Sequence, residues 1–190
     1  MNQLGIYFDQ TRCIGCYTCS IACKDWHDHQ AARVNYMQIK TIEKGTFPHL
    51  FLAYLALPCY HCQNPPCATV CPAEAITKRE SDGIVVVDAD KCLGKEKCPK
   101  TPCLKACRSR SPQFGDEKNA KMQKCDFCHN RLEKGQKPIC VEACPMFALE
   151  IDELAKLEDT YGDIREVRGF KCSKEIGQAA VFKPKPEVYS

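Results

Sequence analysis

The chain has 190 residues, which is enough for one domain or two small ones, and 17 of them are cysteine. Apolar residues make up 44% of the sequence but only about 35% once the cysteines are set aside, too few for a fold that relies on side-chain burial alone. A cofactor bound by cysteine is therefore expected to fill the core, and the small net charge of +3 gives no reason to expect a nucleic-acid partner.

The sequence shows neither a secretory signal nor a membrane span. Residues 1–8 lack a basic start and a long apolar run, and the longest apolar run, residues 50–57, has the length of a strand. Disulfide scaffolds usually belong to exported chains, so this pattern favours reduced thiols that bind metal. We expect a soluble protein in the cytoplasm without direct membrane insertion. Periplasmic export as a folded complex, carried by a partner's signal, is the alternative.

The first cysteine run follows a short strand predicted at residues 4–8. It reads Cys13-x2-Cys16-x2-Cys19-x3-Cys23. Bacterial-type ferredoxins use this spacing to hold a [4Fe–4S] cluster, with the first three thiolates on one cluster and the fourth on another. A short helix predicted at residues 17–26 carries the last two of these cysteines. The run therefore needs partner cysteines elsewhere in the chain.

The second run follows two predicted strands, residues 37–41 and 51–57. It reads Cys59-x2-Cys62-x4-Cys67-x3-Cys71-Pro72. The gap before its third cysteine is longer than in the first run, but the ending is kept, and the proline stops the helix. This spacing is again typical of cluster ligands.

The third run is irregular. It follows a strand predicted at residues 84–87, and its cysteines are Cys92, Cys98, Cys103 and Cys107. Lys95 stands where a regular run has its second cysteine. A four-iron cluster reached through a longer loop, a three-iron cluster and an empty site all stay open. We favour the four-iron cluster because the number of thiols is sufficient.

The fourth run follows a polar connector at residues 108–120. It reads Cys125-x2-Cys128-x11-Cys140-x3-Cys144-Pro145. Beyond it we predict a strand at residues 147–151, then a helix that is capped by Asp152 and ends at Gly162. The tail at residues 181–186 is predicted to lie extended against another element.

One cysteine and several polar side chains lie outside this pattern. We interpret Cys172 as a small buried apolar residue, with a replacement ligand for the third run as the alternative. Candidates for tuning a cluster's reduction potential are Lys24, His61, Lys124 and His129. We interpret these four as ordinary surface residues, and likewise His27 and His29. No nucleophile–base pair or phosphate-binding glycine motif stands out, so no substrate-transforming site is expected.

Four cysteine runs make an internal repeat, and the sequences around them are distinctive. The segments are Cys-Ile-Gly-Cys-Tyr-Thr-Cys at 13–19, Cys-Tyr-His-Cys-Gln-Asn-Pro-Pro-Cys at 59–67, Met-Gln-Lys-Cys-Asp-Phe-Cys at 122–128, Cys-Val-Glu-Ala-Cys-Pro at 140–145 and Ala-Ala-Val-Phe-Lys-Pro-Lys at 179–185. Over most of its length the chain resembles the four-cluster, ferredoxin-like electron-transfer (β) subunit of molybdenum and tungsten bis-pyranopterin oxidoreductases, the dimethyl sulfoxide reductase group.

The resemblance implies four [4Fe–4S] clusters with crossed ligation. The ligands would be Cys13, Cys16, Cys19 and Cys144 for the first cluster, Cys125, Cys128, Cys140 and Cys23 for the second, Cys59, Cys62, Cys67 and Cys107 for the third, and Cys92, Cys98, Cys103 and Cys71 for the fourth. The implied fold is α+β, with two interleaved ferredoxin-like modules. Runs one and four lie in residues 1–55 and 110–190, which include a C-terminal extension, and runs two and three lie in residues 56–109.

The resemblance also implies a non-catalytic role. Electrons would pass between a large molybdenum- or tungsten-pterin catalytic subunit, the expected partner, and a further redox carrier. The alternative function is a free-standing soluble polyferredoxin that serves several oxidoreductases. A zinc-binding module fits less well, because zinc sites pair Cys-x2-Cys knuckles, often with histidine.

Overall fold

The computed structural model describes residues 2–29 and 34–187. The strands in these residues are β1 (Leu4–Asp9), β2 (Gln38–Lys44), β3 (Phe51–Leu57), β4 (Ile76–Lys78), β5 (Val85–Val87), β6 (Gln113–Phe114), β7 (Met122–Gln123), β8 (Leu149–Glu153), β9 (Glu166–Val167), β10 (Phe170–Lys171) and β11 (Ala180–Lys183). The helices are α1 (Thr18–Trp26), α2 (Pro66–Thr69), α3 (Gly94–Lys97), α4 (Pro102–Ala106), α5 (His129–Leu132), α6 (Ile139–Glu142) and α7 (Leu154–Tyr161). This mixture of small strands and short helices is consistent with an α+β, ferredoxin-like fold.

The largest sheet within the described residues has three strands, in the order β11-β1-β8. The central strand β1 pairs antiparallel with β8 and parallel with β11. Its Ile6 and Phe8 side chains join the main core, which contains Cys19 and Cys23, whereas Tyr7 packs with residues of α7 on the opposite face. The predicted first strand is confirmed, and so is the prediction that the tail lies against another element.

Antiparallel hairpins make up the rest of the sheet structure around the cysteine runs. β2 pairs with β3 over seven residue pairs, and β4 pairs with β5. The polar connector at residues 108–120 contains β6, which pairs with β7. Phe114 and Met122 of this hairpin pack with Cys67 and Cys103 in a second apolar cluster. They lie beyond the predicted module boundary at residue 109, and the division into modules stays a prediction.

Two predictions around α7 need correction. The strand before it begins at Leu149 rather than at Phe147, because Phe147 has a positive φ of 49°. The prediction that Asp152 caps the helix is wrong, because Asp152 still lies in β8 and pairs with Gly5 of β1. The helix ends at Gly162 as predicted, where a φ of 84° suits glycine.

Membrane-spanning character is absent from the helices of the described residues. None of them combines the length and the apolar composition that crossing a bilayer requires. The longest helix, α1, has nine residues and carries two of the run cysteines. Four of the seven described helices, α1, α2, α4 and α6, contain cysteines of the runs.

Candidate metal centres

The cysteine runs share a backbone geometry. In each of the three regular runs the residue before the second cysteine has a positive φ: Gly15 (68°), His61 (40°) and Phe127 (54°). In the second, third and fourth runs the third residue after the last cysteine also has a positive φ: Glu74 (49°), Arg110 (54°) and Phe147 (49°). Residues in this left-handed region turn the chain sharply and can direct backbone N–H groups into a concave surface. The repeat in sequence is therefore also a repeat in conformation, and each run curves around a similar space.

Three of the four predicted cysteine groups surround separate cavities. The first cavity is lined by the predicted ligands of the first cluster, Cys13, Cys16, Cys19 and Cys144. The other two are lined by the predicted ligands of the third cluster, Cys59, Cys62, Cys67 and Cys107, and of the fourth cluster, Cys71, Cys92, Cys98 and Cys103. The three cavities are similar in size. Each cavity thus receives three cysteines from one run and the last cysteine of another.

The remaining four predicted ligands are neighbours, and Cys23, Cys125 and Cys140 lie in or against the main core. Cys23, Cys128 and Cys140 are buried and Cys125 is half-buried. Burial raises the pKa of Cys140 well above its usual value, and the charges of Cys23 and Cys128 raise it further. Burial and the charges of neighbouring thiols act in the same way on the pKa of Cys125. Such mutual effects arise between thiols that are close neighbours.

The chemistry of these thiols fits iron. Burial raises the pKa of Cys19 and of Cys67 to about 12, and that of Cys103 to about 11, and other thiols of the same cavity add to each rise. Thiolates are the ligands of iron–sulfur clusters, so several of them in one apolar cavity need a positive counter-charge. Iron supplies that charge, and its binding displaces the thiol protons.

A buried imidazole lies next to Cys62 in the chain. The His61 side chain is fully buried, and its Nδ1 accepts a hydrogen bond of 2.9 Å from the backbone N–H of Val85. Burial lowers the pKa of His61 well below its usual value, so the ring is neutral and its proton lies on Nε2. Among the described residues this Nε2–H has no hydrogen-bond partner. The ring packs on Phe127, with ring centroids 3.9 Å apart.

The structure separates the four candidates for tuning a reduction potential. His61 and Lys124 are buried, so their interpretation as surface residues is wrong. His129 is half-buried, and its Nδ1 lies 3.1 Å from the Asp126 carboxylate. Lys24 is half-buried at the end of α1. Sequence could not distinguish these cases, because each side chain is polar and next to a cysteine.

His27 was also predicted to lie on the surface, and this is wrong. Its side chain is only 18% exposed, and its Nε2 lies 3.6 Å from the Cys128 sulfur and 3.9 Å from an Asp126 oxygen. The His27 ring also packs on Tyr36, with ring centroids 5.0 Å apart. His27 and Cys128 are 101 residues apart in the chain, so only the tertiary fold brings them together.

The irregular third run keeps its thiols together. Lys95 lies in α3, where its ammonium donates to the Gly115 carbonyl at 2.9 Å and its backbone N–H donates to Ala120. The side chain does not line the cavity, whereas Cys92 and Cys98 on either side of it both do. The helix thus takes up the longer spacing between these two cysteines.

Cys172 lies apart from the four groups. It is half-buried, and its sulfur lies 4.0 Å from the Gln178 carbonyl oxygen. It lines an open cavity that contains no other cysteine among the described residues. This placement gives no support to the alternative that Cys172 replaces a ligand of the third run.

Comparison with known proteins identifies the family. Residues 50–154, more than half of the chain, match the family model described as a 4Fe-4S dicluster domain. The chain is 39% identical over 191 residues to the B component of the anaerobic dimethyl sulfoxide reductase of Escherichia coli (strain K12), covering 96% of this chain and 89% of that one.

Two further relatives have different substrates in their names. The chain is 31% identical over 198 residues to the B component of the sulfite dehydrogenase of Allochromatium vinosum, with 93% and 80% covered. It is 37% identical over 160 residues to the thiosulfate reductase electron transfer subunit PhsB of Salmonella typhi, with 83% and 79% covered. These matches confirm the resemblance drawn from the cysteine runs. The chain belongs to the family of iron–sulfur electron-transfer subunits of molybdopterin oxidoreductases, which includes the B component of the dimethyl sulfoxide reductase.

Proposed function

We propose that every cysteine except Cys172 binds iron, in four [4Fe–4S] clusters. The four ligand sets are Cys13, Cys16, Cys19 and Cys144; Cys23, Cys125, Cys128 and Cys140; Cys59, Cys62, Cys67 and Cys107; and Cys71, Cys92, Cys98 and Cys103. The observation that carries the proposal is that three of these sets each line one cavity. The fourth cluster has four irons, since Lys95 is directed to Gly115 and four thiols remain.

The clusters supply one-electron transfer when bound, and the chain fixes their order. The last two cysteines of every run are four residues apart, which on a helix brings them to neighbouring positions. Cys19 and Cys23 on α1 therefore hold the first cluster next to the second. Cys67 lies in α2 and Cys71 follows two residues after the end of that helix, so these two ligands hold the third cluster next to the fourth.

The second and third clusters are also placed next to each other, which connects the first and second clusters to the third and fourth. After burial, the largest influence on the pKa of Cys125, a ligand of the second cluster, is the charge of Cys59, a ligand of the third. These two thiols are therefore close, and the second and third clusters are neighbours. The two pairs form two interleaved ferredoxin-like modules. The resulting order is first, second, third and fourth.

Both ends of this line reach the surface. At the first cavity Cys16 is exposed, and the nearby apolar side chains of Ile14, Tyr17 and Phe147 are 56%, 45% and 74% exposed. At the other end Leu93, which lines the cavity of the fourth cluster, is 37% exposed. The larger apolar rim suits a permanent subunit interface.

The partner at that rim is a large catalytic subunit that holds molybdenum or tungsten on a pterin. Two of the named relatives are lettered components of a reductase and a dehydrogenase, and the third is an electron transfer subunit, which implies a separate catalytic polypeptide. The chain itself is non-catalytic and passes electrons between that subunit and a further carrier in the cytoplasm. The periplasm, reached by co-export, is the alternative location.

Anaerobic purification of the tagged chain from its native host tests this partnership. We expect a large pterin-containing protein to co-purify and to be identified by mass spectrometry. Tyr17→Asn with Phe147→Asn should weaken the association at least about tenfold, because both residues have positive φ, which asparagine tolerates, and both lose apolar contact. Phe47→Asn, at a residue that is 94% exposed and lines none of the cysteine cavities, is the matched control. A chain that purifies alone, fully loaded and stable, would instead be a free polyferredoxin.

A further inference from the structure

Lys124 is a buried charge between the second and third cysteine groups. It follows β7 directly, and its side chain is only 4% exposed. Its ammonium donates hydrogen bonds to the carbonyl oxygens of Val85 and Cys125, the latter at 2.8 Å. Within residues 2–29 and 34–187, no carboxylate is recorded within ion-pair distance of it. A buried ammonium without a counter-charge is costly, so a negative group is expected nearby.

The cavity of the third cluster provides that negative group. Lys124 lines it together with Cys59, Cys62, Cys67 and Cys107. A cluster held by four thiolates is net negative, and reduction adds one more negative charge. The ammonium therefore stabilises the reduced form more than the oxidised form.

The Lys124 ammonium is held in place by its hydrogen bonds to two carbonyl oxygens, those of Val85 and Cys125. The carbonyl oxygen of Val85 accepts the hydrogen bond from the Lys124 ammonium. The backbone N–H of the same residue donates a hydrogen bond of 2.9 Å to His61 Nδ1. Strand β5 thus holds both side chains in the core. Because Lys124 is buried, salt in the solvent screens its charge only weakly.

We propose that Lys124 is a potential-setting residue: its fixed charge raises the reduction potential of the cluster bound by Cys59, Cys62, Cys67 and Cys107. A higher potential favours the reduced state of this third cluster, which is one of the two middle clusters in the proposed order. This inference rests on the proposed function, since it requires a cluster in that cavity.

Redox titration of the purified holoprotein, followed by low-temperature electron paramagnetic resonance, tests the proposal. In Lys124→Gln, which keeps a hydrogen-bond donor but no charge, the equilibrium constant for reducing one cluster should fall at least about tenfold, or about 59 mV for a one-electron couple. Lys124→Met should show the same shift, and Lys124→Arg should retain the wild-type potential. Lys95→Gln is the matched control, because that ammonium is also held by a carbonyl but lies outside its cavity.

The proposal is overturned if Lys124→Gln retains its full iron content and all its cluster potentials are unchanged. It is also overturned if both uncharged variants lose a cluster that Lys124→Arg keeps, because Lys124 would then belong to the binding site. Failure of the proposed function is separable, since the wild-type chain would then lack four-iron signals before any variant is made.

Discussion

Replacing Cys19 with serine is expected to remove one cluster and to destabilise the whole chain. Cys19 is buried on α1 and lines the first cavity with Cys144. The proposed first cluster joins α1 to Cys144, but the second cluster joins the same two segments through Cys23 and Cys140, so the destabilisation comes mainly from the emptied cavity and not from a lost cross-link. The new hydroxyl group would also lie unpaired in the core, at a cost of about 1–3 kcal/mol.

Iron analysis and thermal unfolding under anaerobic conditions measure this effect. The iron content should fall by about a quarter, since one of four clusters is lost, and the melting temperature should fall with it. Cys172→Ala is the control, because this half-buried thiol lines no cysteine cavity. A Cys19→Ser chain with its full visible spectrum and unchanged melting would refute the ligand assignment. Loss of a cluster in Cys172→Ala would make Cys172 a ligand.

Removal of all iron is expected to unfold the chain. Cysteines are part of both main apolar clusters, and outside the three-stranded sheet the described strands pair only in twos. Isolated hairpins are marginal at best, and a typical domain has only about 5–15 kcal/mol of stability to lose. Chelation under reducing, anaerobic conditions should therefore abolish the far-ultraviolet circular dichroism of the folded chain.

The pH dependence of iron loss follows from the thiols. Burial in the folded core raises the pKa of Cys19 and Cys67 to about 12, and thiols of an unfolded, iron-free chain have the ordinary cysteine pKa of about 8.5. In either case the free thiols are protonated at neutral pH, and iron binding releases protons. Iron retention should therefore strengthen as the pH rises and weaken as it falls. An iron-free chain with a dispersed amide spectrum, or iron loss that is insensitive to pH, would contradict the view that iron stabilises the core.

The sequence predicts the local parts of the site well. Regular spacing places the cysteines of each run together, and the predicted helix at residues 17–26 corresponds to Thr18–Trp26. The helix of the second run ends at Thr69, before Pro72, in line with the predicted stop. These features depend on residues that are close in the chain, so short-range steric rules are sufficient.

Long-range features could not be predicted in this way. The pairing of β6 with β7 involves strands of two residues, which leave no periodic signal. Asp152 resembles a helix cap, but pairing with β1 keeps it in a strand. The burial of Lys124 and the approach of His27 to Cys128 depend on segments brought together from elsewhere in the chain. Only the tertiary fold distinguishes such residues from surface ones.

Quantification of iron and acid-labile sulfide per chain, with Mössbauer spectroscopy to identify the cluster type, tests the central claim most directly. Four cysteine groups that each bind a four-iron cluster predict about sixteen irons and about sixteen sulfides per folded chain. A value near twelve irons would mean that the cavity next to Lys95 holds no cluster. A properly folded, colourless chain that contains zinc or oxidised cysteine pairs in place of iron would contradict the claim outright.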